Sequence, residues 1–133
     1  MKQNLMLTVT SLLTLLLLTL HLALDIVRGY EAGGLSNLFG TVLISVVWLC
    51  GTLLLAGRRA GYVIVLLGSL LGLFVPYVHM KGRGVGVASG VANSNGGFFF
   101  IWTLLAIGVT SLFSVILSAQ GLWWSLRRGQ SRQ

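Results

Sequence analysis

Acidic side chains are almost absent from this sequence, which has two Asp+Glu among its 133 residues against nine Lys+Arg. Charged residues of both signs make up 8% of the chain, whereas roughly a quarter is usual in soluble domains. Hydrophobic residues make up 56%, and the formal net charge is +7. So little charge excludes an ordinary soluble domain and is typical of a multi-pass membrane protein.

Cysteine and proline each occur once, as Cys50 and Pro76. A single thiol cannot form an internal disulfide or the paired-cysteine centre of a membrane thiol oxidoreductase, so four-helix enzymes of that type are excluded. We interpret Cys50 as a small packing residue. Pro76 lies inside an apolar segment, where it removes the hydrogen bond to the Gly72 carbonyl and is expected to bend a helix.

The remaining composition falls into four long apolar segments. A helix rises about 1.5 Å per residue, so about 20 residues cross a bilayer. Each segment reaches that length without a Lys, Arg or Glu in its interior, and little chain is left over for a soluble domain. The sequence therefore predicts one all-α domain over 1–133, a four-transmembrane-helix bundle with helices at about 5–27, 35–56, 60–79 and 98–126 and an outer Gly-rich loop at 80–97.

The first apolar segment has some features of a secretory signal peptide, namely Lys2 and the leucine-rich run Leu12–Leu18. That run is long for a signal peptide, and no A-x-A-like cleavage site follows it. Cleavage after Ala23 would place His21 at the −3 position, where a small residue is required. We expect the segment to be a retained membrane anchor.

Basic residues predict the orientation, because cytoplasmic loops of membrane proteins carry an excess of Lys and Arg. If the N-terminus is inside, six basic residues are cytoplasmic and three are outside. We expect both termini on the cytoplasmic side of a bacterial-type inner membrane. The inner set is Lys2, Arg58, Arg59, Arg127, Arg128 and Arg132, and the outer set is Arg28, Lys81 and Arg83.

Aromatic residues agree with this orientation. Trp123 and Trp124 come just before Arg127 and Arg128, as expected at a membrane interface. Anionic lipid headgroups are the nearest partner for these arginines and for the pair Arg58–Arg59. Three basic residues in the tail are too few to indicate nucleic acid, so no nucleic-acid partner is expected.

Small and polar residues fall on one face of each predicted helix, because a helix turns about 100° per residue. One interpretation is helix packing, in which small residues allow close approach and hydroxyls bond to backbone carbonyls. The other is a polar cavity or pathway along the bundle axis. We prefer packing, with Gly68, Gly72, Ser114 and Ser118 as contacts. The four faces are Thr10, Thr14, His21, Asp25 and Arg28; Asn37, Thr41, Ser45, Trp48 and Thr52; Gly61, Gly68, Gly72 and His79; and Thr103, Thr110, Ser114, Ser118 and Gly121.

The candidate site consists of His21, Asp25 and His79, which the predicted topology places toward the outer ends of the first and third helices. Ionisable residues within membrane helices are costly and normally face a partner or a cavity. His21 and Asp25 are four residues apart and share a face. Such a group forms a charged pair, a proton relay or a metal site. The simpler alternative is that these residues only tie the two helices together.

The depth of each candidate residue in the membrane helps to distinguish these alternatives. Counting from Arg28 and Lys81 places Asp25 about level with His79 and places His21 one turn deeper. This predicts an Asp25–His79 pair and disfavours a haem held by both histidines. The sequence does not identify a cofactor. Glu31 in the following turn supplies a further carboxylate.

Other signals do not indicate an enzyme. The stretch Gly84–Gly90 superficially resembles a nucleotide-binding glycine loop, but such a loop needs a preceding strand and a following soluble helix. The sequence shows no nucleophile elbow, P-loop or Cys/His cluster. We therefore expect a non-catalytic protein.

The preferred functional prediction is a small accessory or scaffold subunit of a larger membrane complex. Its expected partners are the lipid bilayer and other membrane subunits, or further copies of this chain. One alternative is a metal- or cofactor-binding, redox-linked membrane protein that uses His21, Asp25 and His79. The other is a small proton-coupled transporter in which Asp25 or His21 carries the proton.

Overall fold

A computed structural model describes residues 2–29, 34–81 and 96–130. Within these ranges the chain forms four helices, and each is long and apolar enough to cross a membrane. The prediction of an all-helical chain with four such helices is confirmed. The helices are α1 (Lys2–Arg28), α2 (Gly34–Leu53), α3 (Arg59–Lys81) and α4 (Gly97–Gln130).

Helix α2 ends three residues earlier than its apolar composition predicts. The backbone amides of Leu54 and Leu55 both donate to the Cys50 carbonyl, at 2.9 and 3.1 Å, and the chain turns before α3. Gly57 has a φ of 76° in this turn, a conformation that a residue without Cβ adopts at little cost. Hydropathy alone did not show this end, because the turn itself contains Leu54, Leu55 and Ala56.

The predicted loop at 80–97 is shorter than expected, because Met80 and Lys81 belong to α3 and Gly97 begins α4. Helix α3 continues through Pro76. Residues 82–95 lie outside the described ranges. This segment includes Arg83 and the stretch Gly84–Gly90. Glu31 and Arg132 also lie outside the described ranges.

Helix α4 packs along both α3 and α1 and makes the most extensive contacts. Helix α2 packs mainly against α3 and touches α1 less, while α1 and α3 contact each other only briefly. Among the described residues, α2 contacts only α1 and α3. Helices α2 and α4 therefore lie on opposite sides of the α1–α3 pair.

Trp48 of α2 is the largest buried side chain, with 1% of its surface exposed. Its indole lies against α3 at Gly68, where an added Cβ would come within 2.5 Å of the ring. The indole Nε1 donates to the Ser11 hydroxyl at 2.8 Å, and that hydroxyl is 2.7 Å from Thr52 Oγ1. Trp48 therefore joins α2 to α3 by close packing and to α1 by a hydrogen bond.

The two ends of the molecule differ in their polar groups. We call the end where α1 and α3 finish and α4 begins the histidine end, and the other the basic end. At the basic end the Tyr62 hydroxyl donates to Asn4 Oδ1 at 2.6 Å, and the Arg59 guanidinium donates to the Ser125 carbonyl at 2.9 Å. The Arg127 guanidinium lies 4.6 Å from the centre of the Trp123 ring.

Most of the predicted polar faces point into the molecule. The clearest exception is Asn37 of α2, which is exposed, while Thr41 and Ser45 of α2 and Thr10 and Thr110 of α1 and α4 are half-buried. Several buried hydroxyls donate to carbonyls of their own helix, which is the behaviour expected of packing residues rather than of a pathway lining. Examples are Thr14 to Thr10, Ser69 to Val65 and Ser118 to Ser114, at 2.8, 2.7 and 2.6 Å.

A candidate metal centre at the histidine end

Two helices bring the candidate residues together, and a third helix completes their surroundings. His21 and Asp25 lie one turn apart on the same face of α1, and both are buried. His79 lies in the last turn of α3 and is half-buried. The first turns of α4 complete the surroundings with Phe100 and Thr103.

Three donor atoms, one from each side chain, lie within 4 Å of one another. Nε2 of His21 lies 3.6 Å from Oδ2 of Asp25, and Nε2 of His79 lies 3.9 Å from that oxygen. The two Nε2 atoms are 3.5 Å apart. A point equidistant from the three atoms lies about 2.1 Å from each, which is the length of zinc bonds to histidine nitrogen and carboxylate oxygen. The three residues could therefore hold one metal ion with little movement.

The predicted Asp25–His79 pair is present, with 3.9 Å between His79 Nε2 and Asp25 Oδ2, but His21 Nε2 lies closer to His79 Nε2, at 3.5 Å. Counting residues along each helix assumes that Arg28 and Lys81 are level and ignores how far a side chain reaches. Helix stagger and side-chain reach together are comparable to the pitch of one turn, about 5.4 Å.

A haem between the two histidines is excluded by the space available. The imidazole rings of His21 and His79 touch edge to face, with centroids 4.9 Å apart and an angle of 90° between their planes. A porphyrin needs its whole plane between two axial ligands. The cluster fits a single ion instead.

Thr103 of α4 is a hydrogen-bonding partner of His21 Nδ1. Its hydroxyl donates to the Phe100 carbonyl at 2.8 Å, and its oxygen lies 3.3 Å from His21 Nδ1. With its own proton engaged, the oxygen accepts from an Nδ1–H group. A proton on Nδ1 leaves the Nε2 lone pair available toward the cluster, as in histidines that bind metals.

Phe100 covers both imidazole rings from the α4 side. Its ring centre lies 4.7 Å from that of His21 and 5.6 Å from that of His79, and the side chain is fully buried. With Leu104 and the half-buried Val75 and Ile101, it forms an apolar cluster behind the histidines. This apolar environment strengthens electrostatic interactions at the three donor atoms.

The cluster is accessible mainly at His79. The side chain of His79 is 21% exposed, against 3% for His21 and 9% for Asp25. Among the described residues, the basic side chains of Arg28 and Lys81 lie at the same end. The Arg28 guanidinium lies against Gly96, just before α4, where any Cβ would collide with it.

The other predicted residues lie away from this cluster. Gly68 and Gly72 are buried beside Trp48, and Gly72 also faces the Ser111 hydroxyl. Ser114 and Ser118 are buried on α4. The four arginines expected to contact headgroups are exposed at the basic end: Arg58, Arg59, Arg127 and Arg128.

Sequence reasoning missed Thr103 and Phe100 as neighbours of the histidines. It placed Thr103 on the polar face of α4. Their spacing of three residues does put both on one side of the first turns of α4. The missing information was which helix α4 contacts at this end.

Two imidazoles and one carboxylate form a ligand set suited to zinc, cobalt, copper, nickel or iron, whereas calcium and magnesium prefer oxygen ligands throughout. The chain matches no known protein-family model, no curated protein and no solved structure.

Proposed function

We propose that this chain is a small multi-pass membrane protein that binds one transition-metal ion through Nε2 of His21, Nε2 of His79 and Oδ2 of Asp25. The observation that carries this proposal is the triangle of donor atoms, with sides of 3.5, 3.6 and 3.9 Å. These distances match one shared ion at ordinary bond lengths. The ion would join α1 to α3 at the histidine end.

The surroundings of the cluster support binding of a metal rather than a purely structural contact. A carboxylate buried at membrane depth is costly, and a nearby dication lowers that cost. An Nδ1–H group that donates to Thr103 would leave His21 Nε2 free to coordinate.

Elemental analysis tests this proposal directly. Protein purified in mild detergent and supplied with Zn²⁺ should retain about one equivalent of metal. The double variant His21→Ala/His79→Ala should retain none while eluting as a monodisperse species. A matched control is Thr10→Ala/Thr110→Ala, since both hydroxyls donate to carbonyls of their own helices. Equal metal content in wild type and the histidine variant would refute the proposal.

We further propose a four-helix bundle with both termini in the cytoplasm and the histidine end outside, because basic residues favour that orientation by six to three. In a Cys50→Ser background, Met80→Cys should react with a membrane-impermeant maleimide on intact spheroplasts. Gln133→Cys should react only after lysis. The reverse pattern would place the histidine end in the cytoplasm.

The same purification distinguishes the other functions. An accessory subunit would bind no metal and would co-purify with a stoichiometric membrane partner. A proton-coupled transporter would show substrate-dependent proton flux in liposomes that Asp25→Asn abolishes. The hydroxyls of Thr14, Ser69 and Ser118 donate to carbonyls of their own helices, which favours a packed interior over a polar pathway. A packed interior supports a binding protein more than a transporter.

A further inference from the structure

Building on the proposed metal function, we infer that the ion is four-coordinate and that its fourth ligand is a small anion from the solution at the histidine end. Three described residues supply the protein ligands: His21, Asp25 and His79. The donor distances favour four ligands over six, and the nature of the fourth ligand is inferred from exposure and charge.

The donor distances favour four ligands over six. At a bond length of about 2.1 Å, two ligands of a tetrahedral ion lie about 3.4 Å apart, and adjacent ligands of an octahedral ion about 3.0 Å apart. The observed separations are 3.5, 3.6 and 3.9 Å. They are already wider than the tetrahedral value, and an octahedral site would need every pair to close further.

The fourth position faces the accessible side of the cluster. Phe100 covers the imidazoles from α4 with an apolar ring, and the Thr103 hydroxyl is engaged with His21 and a backbone carbonyl. His79 is the most exposed of the three ligands. A fourth ligand therefore enters from the histidine end rather than from within the helices. Zinc sites with three protein ligands and one exchangeable position are of this kind.

Charge at this end favours an anion in that position. A dication bound by one carboxylate keeps a net positive charge. Arg28 adds a further positive charge at the end of α1, where its guanidinium lies against Gly96 at the start of α4. A small anion gains from all of these charges, whereas a neutral ligand does not.

Cobalt spectroscopy with azide tests both parts. The full-length protein in detergent is titrated with Co²⁺ and then with sodium azide. We expect the intense visible bands of tetrahedral cobalt, followed by a shift of those bands as azide binds. Weak octahedral bands, or tetrahedral bands that azide does not move, would overturn this inference while leaving metal binding intact. No bound cobalt and no bound zinc would overturn the proposed function itself.

The contribution of charge is tested with Arg28→Gln against the matched control Arg59→Gln at the basic end. We expect Arg28→Gln to bind cobalt with a tetrahedral spectrum but to weaken azide binding several-fold, with a larger difference at low ionic strength. The Arg59→Gln variant should bind azide as the wild type does. Equal azide affinity in the two variants would overturn the role of charge in selecting the fourth ligand.

Discussion

The Nδ1 atom of His21 lies 3.3 Å from the hydroxyl oxygen of Thr103, and this contact joins α1 to α4 across 82 residues of sequence. The hydroxyl proton is directed to the Phe100 carbonyl. The threonine therefore acts on His21 as an acceptor, and it does so without facing the proposed ion. It is a positioning residue whose effect should be measurable in metal affinity.

Replacing Thr103 with Val should weaken Zn²⁺ binding by about 10- to 100-fold, because the ring of His21 loses its hydrogen-bonding partner at Nδ1. Thr103→Ser should restore most of the affinity. Competition with a fluorescent zinc chelator measures this change. Thr110→Val is the control, since that hydroxyl donates to Ala106 of its own helix. Equal losses in the two valine variants would contradict a positioning role for Thr103.

Acid should release the metal. An imidazole must be free of a proton at Nε2 to coordinate, so protons compete with the ion and affinity falls as pH falls. With two histidine ligands, up to about two protons should be taken up per metal released at low pH. Zinc titrations at a series of pH values test this. His79→Ala should bind more weakly and take up fewer protons, and an unchanged proton count would remove His79 from the ligand set.

Gly68→Ala should destabilise the protein by about 1–3 kcal/mol, as expected for overpacking. A Cβ at this position would come within 2.5 Å of the Trp48 indole. Gly40→Ala is a matched control because no atom lies within 4 Å of its Cβ position. On an exposed helical face this change should be neutral or stabilising by up to about 1 kcal/mol. Unfolding in detergent compares the two variants, and similar stabilities would contradict the close packing of Trp48 on α3.

Tyr62→Phe should destabilise the basic end by about 1 kcal/mol, because it removes the hydroxyl that donates to Asn4 at 2.6 Å. The same change at Tyr77, whose side chain is largely exposed, should have little effect. Metal affinity should not change in either variant, because the hydrogen bond between Tyr62 and Asn4 lies at the basic end, away from the three proposed ligands. A drop in zinc affinity with Tyr62→Phe would show that the two ends are coupled.

The four helices and the meeting of His21, Asp25 and His79 followed from simple features of the sequence. Long apolar segments separated by short connections force alternate helices to run in opposite directions. The ends of the first and third helices then lie at the same end of the molecule. One-turn spacing on α1 placed His21 and Asp25 on the same face.

Features that depend on contact between helices could not be predicted in this way. The end of α2 at Leu53 depends on a backbone turn within an apolar stretch. The exposure of Asn37 depends on how α2 packs, and amphipathicity does not encode it. The closeness of His79 to His21, and the presence of Thr103 beside them, depend on the stagger of α3 and α4 against α1.

The position of α2 away from the cluster affects how the protein would unfold. The cluster and its immediate neighbours belong to α1, α3 and α4, while Trp48 and Thr52 attach α2 to the rest. A ligand stabilises only the state that binds it, by about 2.7 kcal/mol at a concentration 100 times its dissociation constant. Bound metal would therefore strengthen the association of three helices and leave the fourth as it was. Saturating the cluster should turn one cooperative unfolding transition into two, with α2 released first.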